Sequence, residues 1–532
     1  MNKYFKAIIP AVALVLSMGM TSCVGDLDVT PIDPNLDLDY DVSGLFNKCY
    51  ANFAMQGNSG GNEVDIDGMD GGTVGLVRQM FNSNELTTDE AICGWGDAGI
   101  SEFCYNTYGD QHPMLSGYFS RLTTGISYCN QYIDQAGDYD ETMTAEIRFL
   151  RAFQYYLIMD AWGCVPFATE PLAAPVQTSR ADIYAWLIEE LQEIEPMLND
   201  AKAKKSTDTN YGRVDKAAVW MLLSRLYLNA QVYVGQAEWA KAAEYAKKVI
   251  DSDYKLNTSG ANQWSAYQML FMGDNGESDA AYEAIFPLLQ DGTESQSWCS
   301  SLFLVASTFD GDLHANPYDM SATNNTDQAW GGNRCRPDLL KKFNITDNDH
   351  FQAWDMTEEK GDDRALFDGV DRLYDNTDPG VFKNGYATTK YTNWRSDNGA
   401  AHNTTYADMD FFILRKAEAY LTYAEALARQ NGSTATGDAA TAINALRSRA
   451  HAITKTSYTL DEICDEWARE FYFEGRRRTD LIRFGYYGGN SSYTWTWKGG
   501  NKDGVNFSSD RNIFPIPSTV ITANGFTQNP GY

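Results

Sequence analysis

Apolar residues recur at helical spacing in several parts of the chain. Between Thr142 and Trp162 the apolar side chains lie three or four positions apart, and the run stops at Gly163, as is typical of a helix end. Similar patterns predict helices within the following stretches: Ala181 to Pro196, Val214 to Tyr233, Ala237 to Ile250, Phe411 to Arg429, Gly437 to Ala450 and Leu460 to Phe473. Paired helices with small residues at their contacts are typical of tetratricopeptide-like units, which repeat about every 34 residues. The pattern predicts a mainly α-helical fold, with a repeat scaffold over about 140–250 and 411–485.

The stretches between these helical parts are rich in Gly, Asn, Asp, Ser and Thr. Residues 57–108 and 251–410 carry single aromatic residues and short apolar runs, which predicts large loop-rich insertions. Short strands are expected within them, for example Glu283 to Leu289 and Leu302 to Ala306. Because binding residues tend to lie on loops that a rigid scaffold presents, we expect the binding region in these two insertions of a single domain, 41–532.

The first forty residues have a different character. A basic N-terminus precedes an almost wholly apolar run from Ala7 to Met20, which predicts a secretory signal peptide over 1–22. The run is shorter than the roughly twenty residues that a transmembrane helix needs. The small residues before Cys23 resemble a bacterial lipoprotein cleavage box, in which the cysteine is acylated, and the acidic, proline-containing segment 23–40 is suited to be a tether. We therefore expect attachment to the membrane by a lipid anchor alone.

Charge and composition exclude several classes of function. The chain has 72 acidic and 42 basic residues, and its net charge of -30 repels phosphate backbones, so nucleic acid is not an expected partner. The eight cysteines beyond Cys23 contain no C-x-x-C pair, and the five histidines show no H-E-x-x-H spacing, so zinc and redox motifs are not expected. We predict that most of these cysteines are buried thiols. Aromatic residues make up 13% of the chain, which leaves some for a binding surface.

Three tryptophans lie in polar loops with few apolar neighbours that could bury an indole. Trp95 is followed by Gly and Asp, Trp298 is preceded by Gln and Ser, and Trp330 is followed by two glycines. A flat indole face stacks on the apolar C–H face of a sugar ring, and a rigid ring loses little entropy on binding. The pattern favours a glycan-binding surface. The alternative is that each indole packs under its own loop.

Three long motifs resemble the SusD/RagB family of outer-membrane nutrient-binding lipoproteins. They are the run from Ala145 to Phe167, the Arg-rich block from Glu466 to Gly485, and the C-terminal segment from Phe514 to Tyr532. The resemblance implies a tetratricopeptide-containing helical fold at the cell surface of the outer membrane. It also implies a non-catalytic protein that receives glycan and caps a SusC-like TonB-dependent β-barrel transporter.

The composition of the Arg-rich block favours a structural role. Arg476, Arg477, Arg478 and Arg483 lie close in sequence to Glu470, Glu474 and Asp480. In an acidic protein such arginines are more often paired with carboxylates than used to bind anions. We therefore predict buried or helix-end ion pairs here.

The resemblance extends to loops of the α-glucan-binding part of the family. By position, it implies that Trp95, Trp298 and Trp330 form an aromatic arc and that Arg78 and Asp70 contact sugar hydroxyls. The implied ligand is starch or maltooligosaccharide, with another glycan such as a 1,6-linked α-glucan as the alternative.

The chain departs from this pattern at one position of the arc. The family pattern has a W-x-W pair followed by an Asn, but here Cys93 replaces the first Trp and the Asn position falls near Ala98 or Gly99. One platform and one amide are therefore lost. Asp97, which lies next to this position, is the residue that we expect to replace the polar contact of the missing Asn.

A short acidic loop is the only metal-binding candidate that we single out. Asp274, Asn275 and Glu277 offer oxygen ligands around turn-forming glycines, which suits a structural Ca²⁺, although the twelve-residue EF-hand spacing is missing. The alternative is a solvated acidic loop. We expect no required cofactor.

Two further functions compete with a glycan receptor. A glycoside hydrolase needs two carboxylates about 5 to 10 Å apart across a sugar site, and among 72 acidic residues such a pair arises by chance. A purely structural lid would bind no glycan, and the loop tryptophans argue against it. We therefore predict a binding protein and not an enzyme.

Overall fold

The computed structural model describes residues 41–57, 60–61, 63–317, 323–489 and 492–532. The predicted signal peptide, the lipidation site Cys23 and the tether to residue 40 lie outside these ranges. Contacts between residues divide the chain into Met1–Val42 and a compact unit, Ser43–Tyr532. None of the helices in the described ranges has both the length and the apolar character that crossing a bilayer requires.

The described part of the chain is built from α-helices and short strands. The helices are α1 Val42–Ala54, α2 Leu76–Asn84, α3 Ile100–Cys104, α4 Pro113–Ala136, α5 Glu141–Trp162, α6 Arg180–Ile194, α7 Lys216–Leu228, α8 Ala230–Val234, α9 Trp239–Ile250, α10 Ser301–Ser307, α11 Pro337–Lys342, α12 Ala353–Lys360, α13 Lys416–Gln430, α14 Asp438–Arg449, α15 Leu460–Phe471, α16 Arg477–Arg483 and α17 Ser518–Asn524. The strands are β1 Ala91–Cys93, β2 Val165–Phe167, β3 Val176–Thr178, β4 Ala284–Leu288, β5 Asn333–Cys335, β6 Phe367–Asp368, β7 Ala387–Thr388, β8 Phe411–Arg415, β9 Thr434–Ala435 and β10 Tyr458–Thr459. The strands pair as antiparallel two-stranded sheets: β1 with β5, β2 with β3, β4 with β8, β6 with β7 and β9 with β10.

The long helices pack side by side and form the scaffold. Helix α5 packs between α4 and α6, α9 packs against α7 and α13, and α13 also contacts α14 and α15. Helix α5 begins at an Asp140 cap, whose carboxylate accepts the Met143 N–H at 2.7 Å, and ends at Gly163 with φ of 75°. The mainly α-helical scaffold predicted from periodicity is confirmed, and the bounds of α5 differ from the prediction by one residue.

Two local expectations differ from the structure, and the long helix α4 was not expected. The stretch that begins at Phe411 was predicted as one helix, but its first five residues form strand β8, which pairs with β4. The run Leu302–Ala306, predicted as a strand, lies within helix α10. Both segments are buried on all sides, so nearly every position in them is apolar. Such a run shows neither the helical nor the strand period, and its sequence does not distinguish the two structures. Helix α4 was not predicted, because its inner face includes Gly117, Arg121 and Gly125 and interrupts the apolar pattern.

Three of the four arginines named in the Arg-rich block form ion pairs, and Arg478 instead donates to the Arg511 carbonyl at 3.2 Å. Arg477 pairs with Asp89 at 2.8 Å, and Arg483 pairs with Glu425 at 2.8 Å. Arg476 pairs with Asp480 at 3.0 Å. The cysteines also agree with the prediction: all eight of those within the described ranges are free thiols, and all but the half-buried Cys164 are buried.

Candidate glycan-binding site

The short sheet of β1 and β5 brings two of the predicted tryptophan loops together. The strands run antiparallel, with Cys93 opposite Asn333, and the Gly94 N–H donates to the Gly332 carbonyl at 3.0 Å. Trp95 follows β1 and Trp330 precedes β5. The pairing therefore places two residues that are 235 positions apart at the same edge of the sheet.

Helix α10 fixes the third loop against the same edge. Trp298 lies just before this helix, and the segment that holds Trp330 returns to its C-terminal end. There the Trp330 N–H donates to the Ala306 carbonyl at 2.9 Å, and the Gly332 N–H donates to the Ser307 carbonyl at 2.9 Å. The last carbonyls of a helix lack partners within it, so these bonds satisfy the helix end and also hold the tryptophan loop.

The rings form a continuous line, which we call the aromatic row: Trp95, Trp330, Trp298 and Tyr406. The ring centroids of Trp95 and Trp330 are 6.3 Å apart, those of Trp330 and Trp298 are 6.4 Å apart, and those of Trp298 and Tyr406 are 4.9 Å apart. All four residues are half-buried. The structure thus brings together the three tryptophans that the sequence singled out.

Hydrogen bonds fix the edges of two of the indoles. The Trp95 Nε1–H donates to the Trp330 carbonyl at 3.0 Å, and the Trp330 Nε1–H donates to Gln328 Oε1 at 2.9 Å. Since these polar edges are already satisfied by the protein, the exposed part of each of the two indoles can offer a ligand only apolar surface. A row of tilted apolar faces can follow a curved or helical sugar chain.

Tyr406 is a member of the row that the sequence analysis missed. It lies at the end of a polar loop, Ala401 to Tyr406, whose His, Asn and Thr residues give it polar neighbours, as the tryptophans also have. The signal was present, but the sequence analysis applied it to tryptophan only. A chain with 32 tyrosines offers too many candidates for that residue type alone to point to a site.

Gly332 is the residue that allows Trp95 to lie against β5. A Cβ atom at this position would be 2.2 Å from Trp95 Cε2, so the indole would have to move. We expect Gly332→Ala to lower glycan affinity about tenfold or more, since the Nε1–H bond of Trp95 and its ring position would both be lost. Calorimetric titration with maltoheptaose measures this effect. Gly96→Ala is the matched control, because a Cβ there meets no atom within 4 Å, and an equal loss in both variants would contradict the argument.

Arg78 and Asp97 flank the row as a bound pair. The Arg78 Nη2–H donates to Asp97 Oδ2 at 2.7 Å, its Nη1–H donates to the Gly72 carbonyl at 2.5 Å, and its guanidinium lies 5.1 Å from the Trp95 ring centroid. Arg78 is only 5% exposed, whereas the Asp97 side chain is 45% exposed. Of the two, Asp97 therefore offers the larger surface to a sugar, and Arg78 holds it in place.

Asp70 lies on the neighbouring loop and is exposed. Its carboxylate accepts the Gly72 N–H at 2.8 Å and the Thr73 hydroxyl at 2.9 Å, which shapes the turn that also receives Arg78. The direct contacts of Asp70, Asp97 and Arg78 with a sugar stay predictions.

The Cys93 position does not replace the lost platform. Its side chain is buried, and this burial raises the pKa of the thiol to about 12. Ala98 is exposed next to Asp97 but offers no polar side chain. At this end of the row, Cys93 and Ala98 therefore provide neither an aromatic ring nor an amide.

Two buried carboxyl groups support the base of the Trp95 loop. Glu85 and Glu90 are hydrogen-bonded to each other, and they accept the backbone N–H groups of Arg476 and Phe473, respectively. Burial raises the pKa of Glu85 well above its usual range and that of Glu90 to about 7. A proton is therefore held between the two carboxyl groups at neutral pH.

This pair makes stability depend on pH. Since both pKa values are raised in the folded state, the stability that the pair contributes is fully present below about pH 4.5 and is lost as pH rises through 7. Glu85→Gln keeps a donor between the two groups without a titrating proton. Between pH 5 and pH 8, we expect the free energy of unfolding to fall by about 1 to 3 kcal/mol less in this variant than in the wild type. Urea unfolding at these two pH values measures this, and an unchanged pH slope would refute it.

The acidic loop predicted to bind Ca²⁺ makes extensive contacts with the protein. The Asp274 carboxylate accepts the Ser396 N–H at 2.9 Å and its hydroxyl at 2.6 Å, and the Asn275 side chain bonds the backbone of Asp410. Glu277 pairs with Arg395 at 2.8 Å, and the hydrogen bonds from this arginine lower the pKa of Glu277. An ion would have to compete with these partners, so the calcium site stays a prediction.

A second group could offer ligand atoms to a metal ion. The ligand atoms of Asp291, His402 and Asp408 lie within 4.8 Å of one another. The Asp408 carboxylate already accepts the backbone N–H groups of Gly292 and His402, each at 3.0 Å. These bonds give the cluster a structural role in joining two loops.

Comparison with known proteins bears on the family and on the fold. Residues 371–532 match the family model described as the SusD family. The chain is 38% identical to the starch-binding protein SusD of Bacteroides thetaiotaomicron over the full length of both chains. Two solved structures are similar over 92% of this chain and 99% of their own, each at 20% identity. They are a laminarin-binding SusD-like protein, with a TM-score of 0.64, and surface glycan-binding protein A from Bacteroides thetaiotaomicron in complex with laminarihexaose, with a TM-score of 0.65.

These similarities decide two of the sequence-based expectations. The structural neighbours confirm the predicted fold class. The functions printed for these relatives are binding functions, in agreement with the expectation of a non-catalytic family. Because the match to a curated relative spans both full chains at 38% identity, this chain belongs to the SusD family.

Proposed function

We propose that the chain is a cell-surface lipoprotein that captures starch or maltooligosaccharide on its aromatic row. The row is the observation that carries the proposal, because its rings present adjacent apolar faces whose edges the protein fixes. Such faces stack on sugar rings, while Asp97 and Asp70 at the border are placed to accept bonds from sugar hydroxyls. The full-length similarity to a protein named as starch-binding supports an α-glucan as the ligand.

A 1,6-linked α-glucan is the second candidate ligand. It is favoured by the reduced end of the row, where the buried Cys93 and the side chain of Ala98 provide neither a platform nor an amide. A chain with a different linkage would present its rings at other angles and would depend less on that end. The net charge of -30 favours a neutral glycan over an anionic one in either case.

Anchoring and delivery complete the proposed role. Acylation of Cys23 would hold the protein at the outer membrane, and the captured chain would pass to a SusC-like TonB-dependent β-barrel transporter. Both steps rest on the cleavage-box motif and on the family resemblance. Labelling with an alkyne fatty acid, with Cys23→Ser as the control, tests the anchor, and co-purification of the barrel with the tagged chain tests the partner.

Calorimetric titration of the full-length protein in detergent tests the ligand. Maltoheptaose, α-cyclodextrin and an isomalto-oligosaccharide are titrated into the wild type and into Trp298→Ala. We expect binding of the two α-1,4-linked sugars that the variant loses. Binding of the isomalto-oligosaccharide alone would favour the 1,6-linked glucan. No heat with any of the three sugars would overturn the α-glucan assignment.

A further inference from the structure

Tyr406 continues the aromatic row beyond the last tryptophan. Its ring lies 4.9 Å from the ring of Trp298 at an interplanar angle of 56°, and it is half-buried like the three indoles. Gly61 backs both rings, because a Cβ at that position would be 2.2 Å from the Tyr406 hydroxyl and 2.7 Å from Trp298 Nε1. The tyrosine ring therefore has a defined position next to the row.

The loop that carries Tyr406 is bonded to the Trp330 loop. The Thr405 hydroxyl donates to Asp327 Oδ2 at 3.0 Å, and the Asp327 N–H donates to the Thr404 carbonyl at 2.7 Å. Asp327 is three residues before Trp330, so these two hydrogen bonds join the Tyr406 loop to the Trp330 loop.

A second set of bonds connects Tyr406 to the Trp298 loop. The Asp408 carboxylate accepts the Gly292 N–H at 3.0 Å through one oxygen and the His402 N–H at 3.0 Å through the other. Hydrogen bonds thus fix the loop of Tyr406 relative to the loops of both Trp298 and Trp330. A ring that is already ordered costs little entropy when a ligand stacks on it.

From this arrangement we infer that Tyr406 is a fourth sugar platform, which makes affinity depend on the length of the glycan. The inference rests on the proposed function and adds a residue that sets chain-length preference. A phenol ring offers an apolar face and a hydroxyl that both donates and accepts, which suits the edge of a sugar. The nearby carboxylates of Asp291, Asp327 and Asp408 favour a neutral chain at this end.

The test compares a short and a long maltooligosaccharide on the full-length protein in detergent. We expect maltotriose to contact only the three indoles, whereas maltoheptaose is long enough to contact Tyr406 as well. We expect Tyr406→Ala to weaken maltoheptaose binding about 5- to 20-fold and to change maltotriose binding less than about twofold. Tyr406→Phe keeps the ring face and should stay within about twofold of the wild type for both sugars. Tyr139→Ala, which removes an exposed tyrosine between α4 and α5, is the control.

Each other outcome would overturn the inference in a recognisable way. An equal loss for both sugars in Tyr406→Ala would mean that Tyr406 only positions Trp298. An unchanged affinity for both sugars would mean that the glycan ends before this ring, and a loss in Tyr406→Phe as large as in Tyr406→Ala would exclude the ring face as the platform. A wild type that binds neither sugar would overturn the proposed function together with this inference. This outcome is distinguishable from the others because the wild type itself then gives no binding signal.

Discussion

Replacing Trp330 with alanine is expected to produce the largest loss of glycan affinity of any single substitution in the aromatic row. Trp330 is the ring that contacts two other indoles, with centroids 6.3 Å from Trp95 and 6.4 Å from Trp298. Its removal divides the row into two separate platforms. Large aromatic residues at the centre of a binding surface cost about 2 to 3 kcal/mol when truncated, which is roughly 30- to 150-fold in affinity.

The substitution should leave the fold largely intact. The carbonyl that accepts the Trp95 Nε1–H belongs to the backbone of Trp330 and stays in place. Gln328, which accepts the bond from the lost indole, is half-buried and can form a hydrogen bond with water instead. Trp220→Ala is a matched control, since it removes a half-buried indole that donates to Glu195 at 2.6 Å away from the row. Titration with maltoheptaose compares the two variants. An affinity of Trp330→Ala within about twofold of the wild type would show that the row does not carry binding.

The sequence predicted correctly those helices whose two ends carry clear capping signals. Helix α5 has an Asp140 cap, an apolar face at regular spacing, and Gly163 at its end, and each of these signals acts locally. Strand β8 and helix α13 have no such boundary. Phe411 and its neighbours are buried on every side, so a change from strand to helix leaves no trace in the apolar pattern.

The site was predictable residue by residue but not as an assembly. A polar neighbourhood around Trp95, Trp298 and Trp330 is a local property, and it pointed to rings that are indeed half-buried in one row. Their order along the row depends on the pairing of β1 with β5, two strands of three residues that are too short to show a period. The contact that Gly332 allows depends on the same pairing. Long-range pairing of short segments is the information that one sequence does not carry.

The largest loss of stability is expected from Arg415→Met. The Arg415 guanidinium is buried and bonds three carboxylates, at 2.8 Å to Glu474, 2.7 Å to Glu470 and 3.1 Å to Glu283. It joins strand β8 to the end of α15 and so connects the scaffold to the strand that follows the binding loops. Removing one partner of a buried ionic group leaves charge uncompensated, which costs about 3 to 5 kcal/mol. Guanidinium-induced unfolding at pH 7 measures this loss.

The dependence of this loss on pH separates charge from packing. Burial by itself would raise the pKa of Glu470, but Arg449, Arg415 and Arg364 outweigh it and lower the pKa to about 2. The stability from this carboxylate is therefore present above about pH 4.5 and is lost in the wild type as pH falls towards 2. In Arg415→Met the carboxyl groups should take up protons more readily in the folded state. The difference in stability between variant and wild type should then shrink between pH 7 and pH 3.

The matched control is an ion pair at the surface. Lys383→Met breaks the ion pair between Lys383 and Asp312, which are 2.6 Å apart and largely exposed. It should leave the free energy of unfolding nearly unchanged, because solvent screens an exposed pair. Arg415→Lys keeps a charge but cannot reach three carboxylates with one ammonium group, so it should fall between the wild type and Arg415→Met. If Arg415→Met were as stable as Lys383→Met, or if its deficit were the same at pH 7 and pH 3, the loss would not come from uncompensated buried charge. With the expected result, Glu470 and Glu474 of the Arg-rich block would be explained as partners of a buried ionic group that joins strand β8 to the end of α15.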